Sequence, residues 1–599
     1  MNSCCLVLRS LSCQGQKHNL CGSEIGGAMA QFDTVILNGT IVDGTRTPRF
    51  QGSVGIKDGA IATISRDALS ASDAEQVVDA KGLIVAPGFI DLHTHYDAQI
   101  QWDPYATLSG WHGVTSLVVG NCGFGFAPVR PDERDRAMLS MSRVESIPFE
   151  SMKKGMWWDW ITFPEWLNTL ERIPKGLNVL SYVPVGPLMI WVMGLEAAKS
   201  RRPNKSEIEE MCRLLNDALD AGGCGWSTQR LGDGFTSVQR DYDGTPMVTD
   251  MMGDEECLVF ADVLRKRGST GHIQITQAKD DIHEDMAFVE KLAEVSGCPV
   301  LFNAIAVNNY HPHQHRRLMD WIEEAQARGN KVYGQAITVG NDLTYTFEDF
   351  NLLDGVDIWR EVTLGTVAER KAKMLNEDNR AALRDHYDHG RMPITTGPVR
   401  EFLVMDTAKD ENKQYVGKTL EQLGELTGKH PIDALVDLVV DEELQTTIFT
   451  PPFNTDPDLN GELMNSEYTV PGVSDGGAHT KFITLGRYTT DFLTNFCRDN
   501  ENISLEEAHY RLSALPAKMA GFRDRGVLKE GMPADVVVYD LENLGSTLPE
   551  VAFDFPAGEW RRIQKAEGYR WIFVNGEATF VDGECTNKTP GRLLRHGTA

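Results

Sequence analysis

The chain has no cysteine spacing that would serve as a disulfide framework, no apolar run of membrane-spanning length, and too little positive charge to suit a nucleic acid. Its 11 cysteines are scattered through 599 residues, which reads as free thiols in a reducing, cytoplasmic setting rather than a secreted scaffold. Lys and Arg number 58 against 86 Asp and Glu, a net charge of −28, so neither nucleic acid nor an anionic membrane surface is an expected partner. No Gly-rich phosphate fingerprint opens the first helix, which makes an open doubly wound sheet the weaker of two α/β architectures. Residues 1–31 read as a disordered extension: Cys4, Cys5, Cys13 and Cys21 lie in a polar stretch, and the apolar piece Cys4 to Leu8 is cut by Arg9. Met29 offers an alternative start.

What is present is a change of texture along the chain. Thr34 to Gly44 reads as a hairpin turning at Asn38-Gly39, and short strands continue toward Val78. Strand patterns return at Ala534–Asp540 and Trp571–Gly576. Between them, apolar strands alternate with helical patterns such as Glu207–Ala221 and Arg316–Ala327, which argues for a parallel α/β unit. The economical arrangement is a (β/α)8 TIM barrel over residues 87–520, with residues 32–86 and 521–599 joined in a small β-sandwich.

Three motifs carry chemistry. The apolar run Leu83 to Leu92 ends in His93-Thr94-His95, and side chains two apart project to the same side, so both imidazoles can converge on one metal ion. Val473-Ser474-Asp475-Gly476-Gly477-Ala478-His479 places a carboxylate before two glycines, which suits a metal ligand that also takes a proton from water. Thr115 to Val119 runs into Gly120-Asn121-Cys122; as a thiolate, Cys122 is a strong zinc ligand, and otherwise a small buried apolar residue. Four indoles, Trp157, Trp158, Trp160 and Trp166, could form an aromatic wall over an acyl group, Trp158 in particular, or simply pack.

The run Phe89 to Gln99, then His112-Gly113-Val114-Thr115, then Gly120-Asn121-Cys122-Gly123-Phe124, resembles the N-acyl-D-amino-acid deacylases (D-aminoacylases) of the amidohydrolase superfamily. The likeness extends more thinly from about Phe32 to about Gly591. It implies a distorted barrel with a β-sandwich, zinc at the carboxyl ends of the barrel strands, and hydrolysis of an amide bond in a small-molecule substrate. The chain also departs from the family. Gln277 and Ala304 stand where two metal-binding histidines are expected, and Ala306 stands at the lysine that pairs with a substrate carboxylate. What survives is His93, His95, Cys122 and Asp475, a set that satisfies one zinc, with Mn2+ or Co2+ as alternatives. His311, His313 and His315 read as a polar loop and helix start rather than replacement ligands.

The expected chemistry is zinc-assisted attack of water on an amide carbonyl, with Asp475 as ligand and proton shuttle, and His479, Gln277 and Trp158 near the substrate. With Ala306 in place of the lysine that anchors a substrate carboxylate, a more apolar or cyclic amide is expected. Ester hydrolysis, deamination, decarboxylation and a catalytically silent binding role remain as alternatives on the same scaffold. A homo-oligomer is compatible with all of these.

Overall fold

The computed structural model describes residues 30–279, 281–349 and 352–597. The disordered extension expected over residues 1–31 lies outside the described residues as far as residue 29.

Two terminal stretches meet in one nine-stranded sheet. Phe32–Ile41 pairs with Phe50–Lys57, Ala74–Asp79 and Ile84–Pro87; the last of these pairs with Val536–Tyr539, followed outward by Tyr569–Val574, Glu577–Val581 and Glu584–Cys585. Ile36, Val54, Val85, Val536 and Phe573 form its core. The hairpin expected at Asn38-Gly39 is instead one uninterrupted strand carrying a bulge. Ile36 pairs with Val54 but Gly39 with Gly52, so three residues face two across the ladder. Asn38 takes φ 62°, and a Cβ on Gly39 would sit 2.4 Å from Val85 Cγ2. The pair thus serves a kink and a close approach rather than a turn.

The middle of the chain is parallel. Phe89–Asp91, Val114–Val119 and Asn178–Ser181 form one sheet, while Val183–Pro184, Gly225–Arg230, His272–Gln277, Val300–Ile305, Val332–Ala336 and Thr469–Pro471 form another. Strands follow chain order with no reversal, so the doubly wound alternative fails. The two sheets are separated only by Tyr182 on one side, and on the other a parallel bridge joins Thr94 to Gly476. Every residue of Val114–Val119 and of Gly225–Arg230 is buried, as expected where helices cover one face and the interior is filled.

Helices between the strands have local causes. Asn204 accepts from the Glu207 N–H at 3.1 Å while the Glu207 carboxylate accepts from the Asn204 N–H at 2.7 Å, a reciprocal cap that starts helix Lys205–Asp220. Helix Gln314–Ala327 begins where the His311–His315 run was read as a helix start, and it buries Leu318, Trp321, Ile322 and Ala325, one face at helical spacing. A long excursion, residues 337–468, carries the small antiparallel sheet of Leu343–Tyr345, Thr447–Thr450 and Leu403–Asp406 together with several helices. It hangs over the carboxyl ends of the parallel strands and contributes Asn341, Leu352, Ile394, Thr395 and Phe453 to a cavity there. Among the described residues no helix is long and apolar enough to cross a membrane, and Cys122, Cys212, Cys224, Cys257, Cys298 and Cys497 are free thiols.

Candidate metal centre

Strand Phe89–Asp91 stops just before His93-Thr94-His95, and Thr94 turns away to donate its hydroxyl to the Val118 carbonyl at 2.7 Å, leaving both imidazoles on one side. The Asp475 segment is tied to this motif by backbone: the His95 N–H donates to Gly476 O at 2.7 Å and the Ser474 hydroxyl to His93 O at 2.9 Å. Gly477, at φ +87°, would place a Cβ 2.9 Å from the His95 carbonyl, so only glycine permits this approach. Cys122, Asp475 and His479 are non-glycine residues at φ 57°, 47° and 48°. Left-handed backbone at these three non-glycine residues costs conformational energy that the surrounding packing must hold.

One ligand atom from each of His93, His95 and Cys122 lies within 4.8 Å of the others, and all three residues are buried. His93 Nε2 is 3.4 Å from Cys122 Sγ and 3.4 Å from Asp475 Oδ1, and His95 Nε2 is 3.7 Å from the same oxygen. On its far side, His93 Nδ1 faces Gln335 Oε1 at 3.2 Å. A carbonyl oxygen only accepts, so Nδ1 carries the proton and Nε2 keeps a free lone pair. Burial pushes His93, His95 and His479 below the ordinary histidine range, which keeps the imidazoles neutral, and pushes the Cys122 thiol well up. Neutral imidazoles, a thiol that needs a cation to ionise and a carboxylate leaning on both rings are a donor set that fits a divalent metal.

Sequence reading missed Glu145. It ends helix Arg134–Val144, is wholly buried, and neither carboxyl oxygen has a hydrogen-bond partner among the described residues. Oε1 lies 3.7 Å from His95 Nδ1 and Oε2 3.4 Å from His479 Nε2, so one carboxyl group spans two imidazoles. Burial, with Asp475 and Asp97 nearby, pushes this carboxyl well above the usual range. The only local signal was an acid at a helix C-terminus, where the helix dipole disfavours it.

His93, His95, Cys122, Asp475, His479 and Gln277 all line one cavity of about 510 Å³. One expectation needs correction. Trp158 is not part of that wall: it stacks on Trp160 at 5.1 Å and meets Phe126 at 5.6 Å, and Trp160 in turn packs on Trp166 at 4.7 Å. The indoles satisfy one another in the layer beside helix Phe163–Arg172, and Trp157 is exposed. Gln277 lines the cavity as expected, donating its amide N–H to Asp285 at 2.5 Å while its Oε1 has no hydrogen-bond partner among the described residues. The groups that face the thiol from strand His272–Gln277 are Thr276, whose hydroxyl is 3.3 Å from Cys122 Sγ, and Gln274, whose Oε1 accepts from the Cys122 N–H at 2.6 Å. Asn303 rather than Ala304 completes this neutral network, accepting from Gln274 at 2.6 Å and donating to Thr276 at 2.7 Å. His315 is buried on the cavity wall, with Nε2 3.8 Å from Glu462.

A model of the amidohydrolase family matches residues 76–586. An uncharacterised protein of Mycobacterium tuberculosis is 28% identical over 94% of this chain and 96% of its own. An N-acyl-D-aspartate deacylase of Alcaligenes xylosoxydans xylosoxydans is 26% identical over 96% of this chain and 98% of its own. Among solved structures, N-acyl-D-glutamate deacylase from Bordetella bronchiseptica, complexed with zinc and a phosphonate inhibitor, superposes with a TM-score of 0.66 at 21% identity. That match covers 94% of this chain and 100% of the deacylase.

Proposed function

This chain belongs to the amidohydrolase family, and we propose that it is a metal-dependent hydrolase of a small neutral amide, working with one ion per chain. The observation that carries the proposal is the convergence of His93, His95 and Cys122, with Asp475 against both rings, on the wall of a cavity large enough for a drug-sized substrate. Deacylase relatives of similar length support an acyl C–N bond as the one cleaved.

We read the parallel strands as a closed (β/α)8 barrel. Asn178–Ser181 and Val183–Pro184 count as two halves of one broken strand, and the Thr94–Gly476 bridge brings the last strand beside the first. Residues 32–86 and 521–599 make up the accessory β unit. The metal site then sits at the carboxyl end of the barrel, where loops of different strands can meet.

His93, His95, Cys122 and Asp475 would hold a divalent ion, zinc first and Mn2+ or Co2+ as alternatives, which would supply Lewis acidity toward an amide carbonyl and toward water, whose pKa such ions lower to roughly 7. His93 and His95, neutral and held by Gln335 and Glu145, present Nε2 lone pairs in fixed orientation. Asp475 reaches the same point from a side chain still 22% exposed to the cavity, so its carboxylate can accept a proton from water and return it to the leaving nitrogen. His479, with Nε2 turned to Glu145, contacts the substrate near its carbonyl. The network of Gln274, Thr276 and Asn303 holds Cys122 and supplies no imidazole for a second ion, which supports a single one.

The test is to remove metal, reload with zinc, manganese or cobalt, and follow amine release from a panel of neutral N-acyl amides. Metal-dependent release that disappears in His93→Ala is the expected result. Full release by metal-free protein, or none with any ion, overturns the proposal.

A further inference from the structure

Gln229 lies near the end of strand Gly225–Arg230, fully buried, and neither its Oε1 nor its Nε2 has a hydrogen-bond partner among the described residues. Strand alternation fixes which way it faces. Trp226 packs outward on Phe260 and Arg230 outward over the Phe288 ring, both on covering helices. Ser227, on the opposite face, bonds the backbone of Gly120 and Gly123 beside Cys122. Gln229 shares the face of Ser227 and lines the cavity of the metal cluster. Its register partner is Thr276, whose hydroxyl touches the Cys122 sulfur at 3.3 Å. Adjacent strands lie about 4.8 Å apart, so the free amide is one strand away from the reacting centre.

Buried amides are rarely left unpaired at both ends, because each unmet donor or acceptor has been stripped of water without replacement. On a cavity wall, the missing partner is supplied by whatever fills the cavity. A carboxamide offers one acceptor and one donor side by side, and the group that matches both at once is another amide. The charge of the wall agrees. Its acids include Asp285 and Asp475, while Lys279 is the one lysine or arginine among the described residues of the wall and already faces Asp254 at 3.7 Å. A substrate carboxylate would find little compensation there, whereas Leu231, Ile282, Phe302, Val307 and Leu318 give an apolar lining for an acyl chain.

We propose that the substrate is an N-acylated amino-acid amide or short peptide-like diamide, whose non-scissile carboxamide pairs at two points with Gln229 while its acyl chain lies on the apolar wall. This rests on the amide-hydrolase reading above. Water adds across the acyl C–N bond, the acyl carbon leaves as a carboxylic acid, and the nitrogen takes up a proton as the free amino-acid amide. Gln229 is a specificity residue and takes no part in proton transfer.

The probes are N-octanoylglycinamide and N-octanoylglycine, which differ only in carboxamide against carboxylate and raise no question of stereochemistry. Binding of each to zinc-loaded full-length protein is measured by titration calorimetry, and amine release is followed in parallel. The wild type should bind the glycinamide at least tenfold more tightly than the acid. Gln229→Met, similar in length but without the amide, should weaken glycinamide binding about ten- to hundredfold, the factor that buried hydrogen-bond recognition supplies, and leave zinc retention and binding of the acid unchanged. Equal or tighter binding of the acid by the wild type, no binding of the glycinamide, or an unaltered glycinamide affinity in Gln229→Met overturns the proposal. The wild-type comparison stands even if the variant fails to fold. Preferential binding without release of amine from either probe would sink the hydrolase reading while leaving the recognition intact, and release without preference would do the reverse.

Discussion

Glu145→Gln separates an active-site carboxyl group from a merely buried one. The carboxyl spans His95 Nδ1 at 3.7 Å and His479 Nε2 at 3.4 Å and has no other partner among the described residues. Burial favours the neutral acid in the metal-free protein; beside a bound cation the carboxyl would ionise and accept from both imidazoles, whereas a carboxamide of the same shape has one oxygen to accept with and turns N–H groups toward the other ring. One charge-assisted contact is therefore lost, about 1.5–3 kcal/mol, which corresponds to roughly ten- to hundredfold. That range matches the usual effect of removing the partner that orients a metal-binding histidine. If the lost contact is at His95, metal affinity falls by this factor; if at His479, kcat falls with affinity kept. The metal-free fold should not suffer, because a poorly solvated acid has been exchanged for a neutral group. Competition with a chromophoric chelator gives the affinity, steady-state amine release gives kcat, and the melting midpoint of the apoprotein gives the fold. Zinc affinity and kcat both within twofold of wild type would show that a neutral group serves equally at 145 and would refute the argument.

Other consequences can be measured directly. Asp475→Asn should keep much of the metal but lose about 10²–10⁴-fold in kcat, since the amide cannot accept a proton at neutral pH; near-wild-type turnover would move the base elsewhere. Elemental analysis should find about one transition-metal ion per chain, because the strands ending near Gln277 and Ile305 offer no imidazole to a second, and two tightly held ions would contradict this. Burial holds His272 at about 3 and His112 at about 4, below their ordinary 6.5. The unfolded chain then binds more protons between those values, so stability is complete above pH 6.5 and is lost as the pH falls toward 4. The melting midpoint should drop over that window, less so in His272→Phe, which keeps the ring contact with Tyr182; a flat profile from neutral to pH 4 would defeat the assignment.

The sequence alone determined the parts whose chemistry is contiguous. His93-Thr94-His95 declares itself because a period of two puts both imidazoles on one side, and Asp475-Gly476-Gly477 because glycines mark a backbone that something must approach. The alternation of apolar strands and amphipathic helices likewise states a parallel α/β arrangement, as in Lys205–Asp220 and Gln314–Ala327. Asn38-Gly39 misled because the same pair satisfies a turn and a bulge, and only the register against Gly52 and the approach of Val85 tell them apart. Trp158 misled because an indole near a site and an indole in a packed stack have the same local sequence. Glu145, Gln335 and Gln229 could not be read at all. Their neighbours in sequence are ordinary, and their roles come from partners far along the chain: His479 for Glu145, His93 for Gln335, and the metal-site cavity for Gln229. A carboxyl group or an amide has no function until the tertiary structure removes its water and decides what faces it, and that decision belongs to the packing of distant parallel strands beside one another.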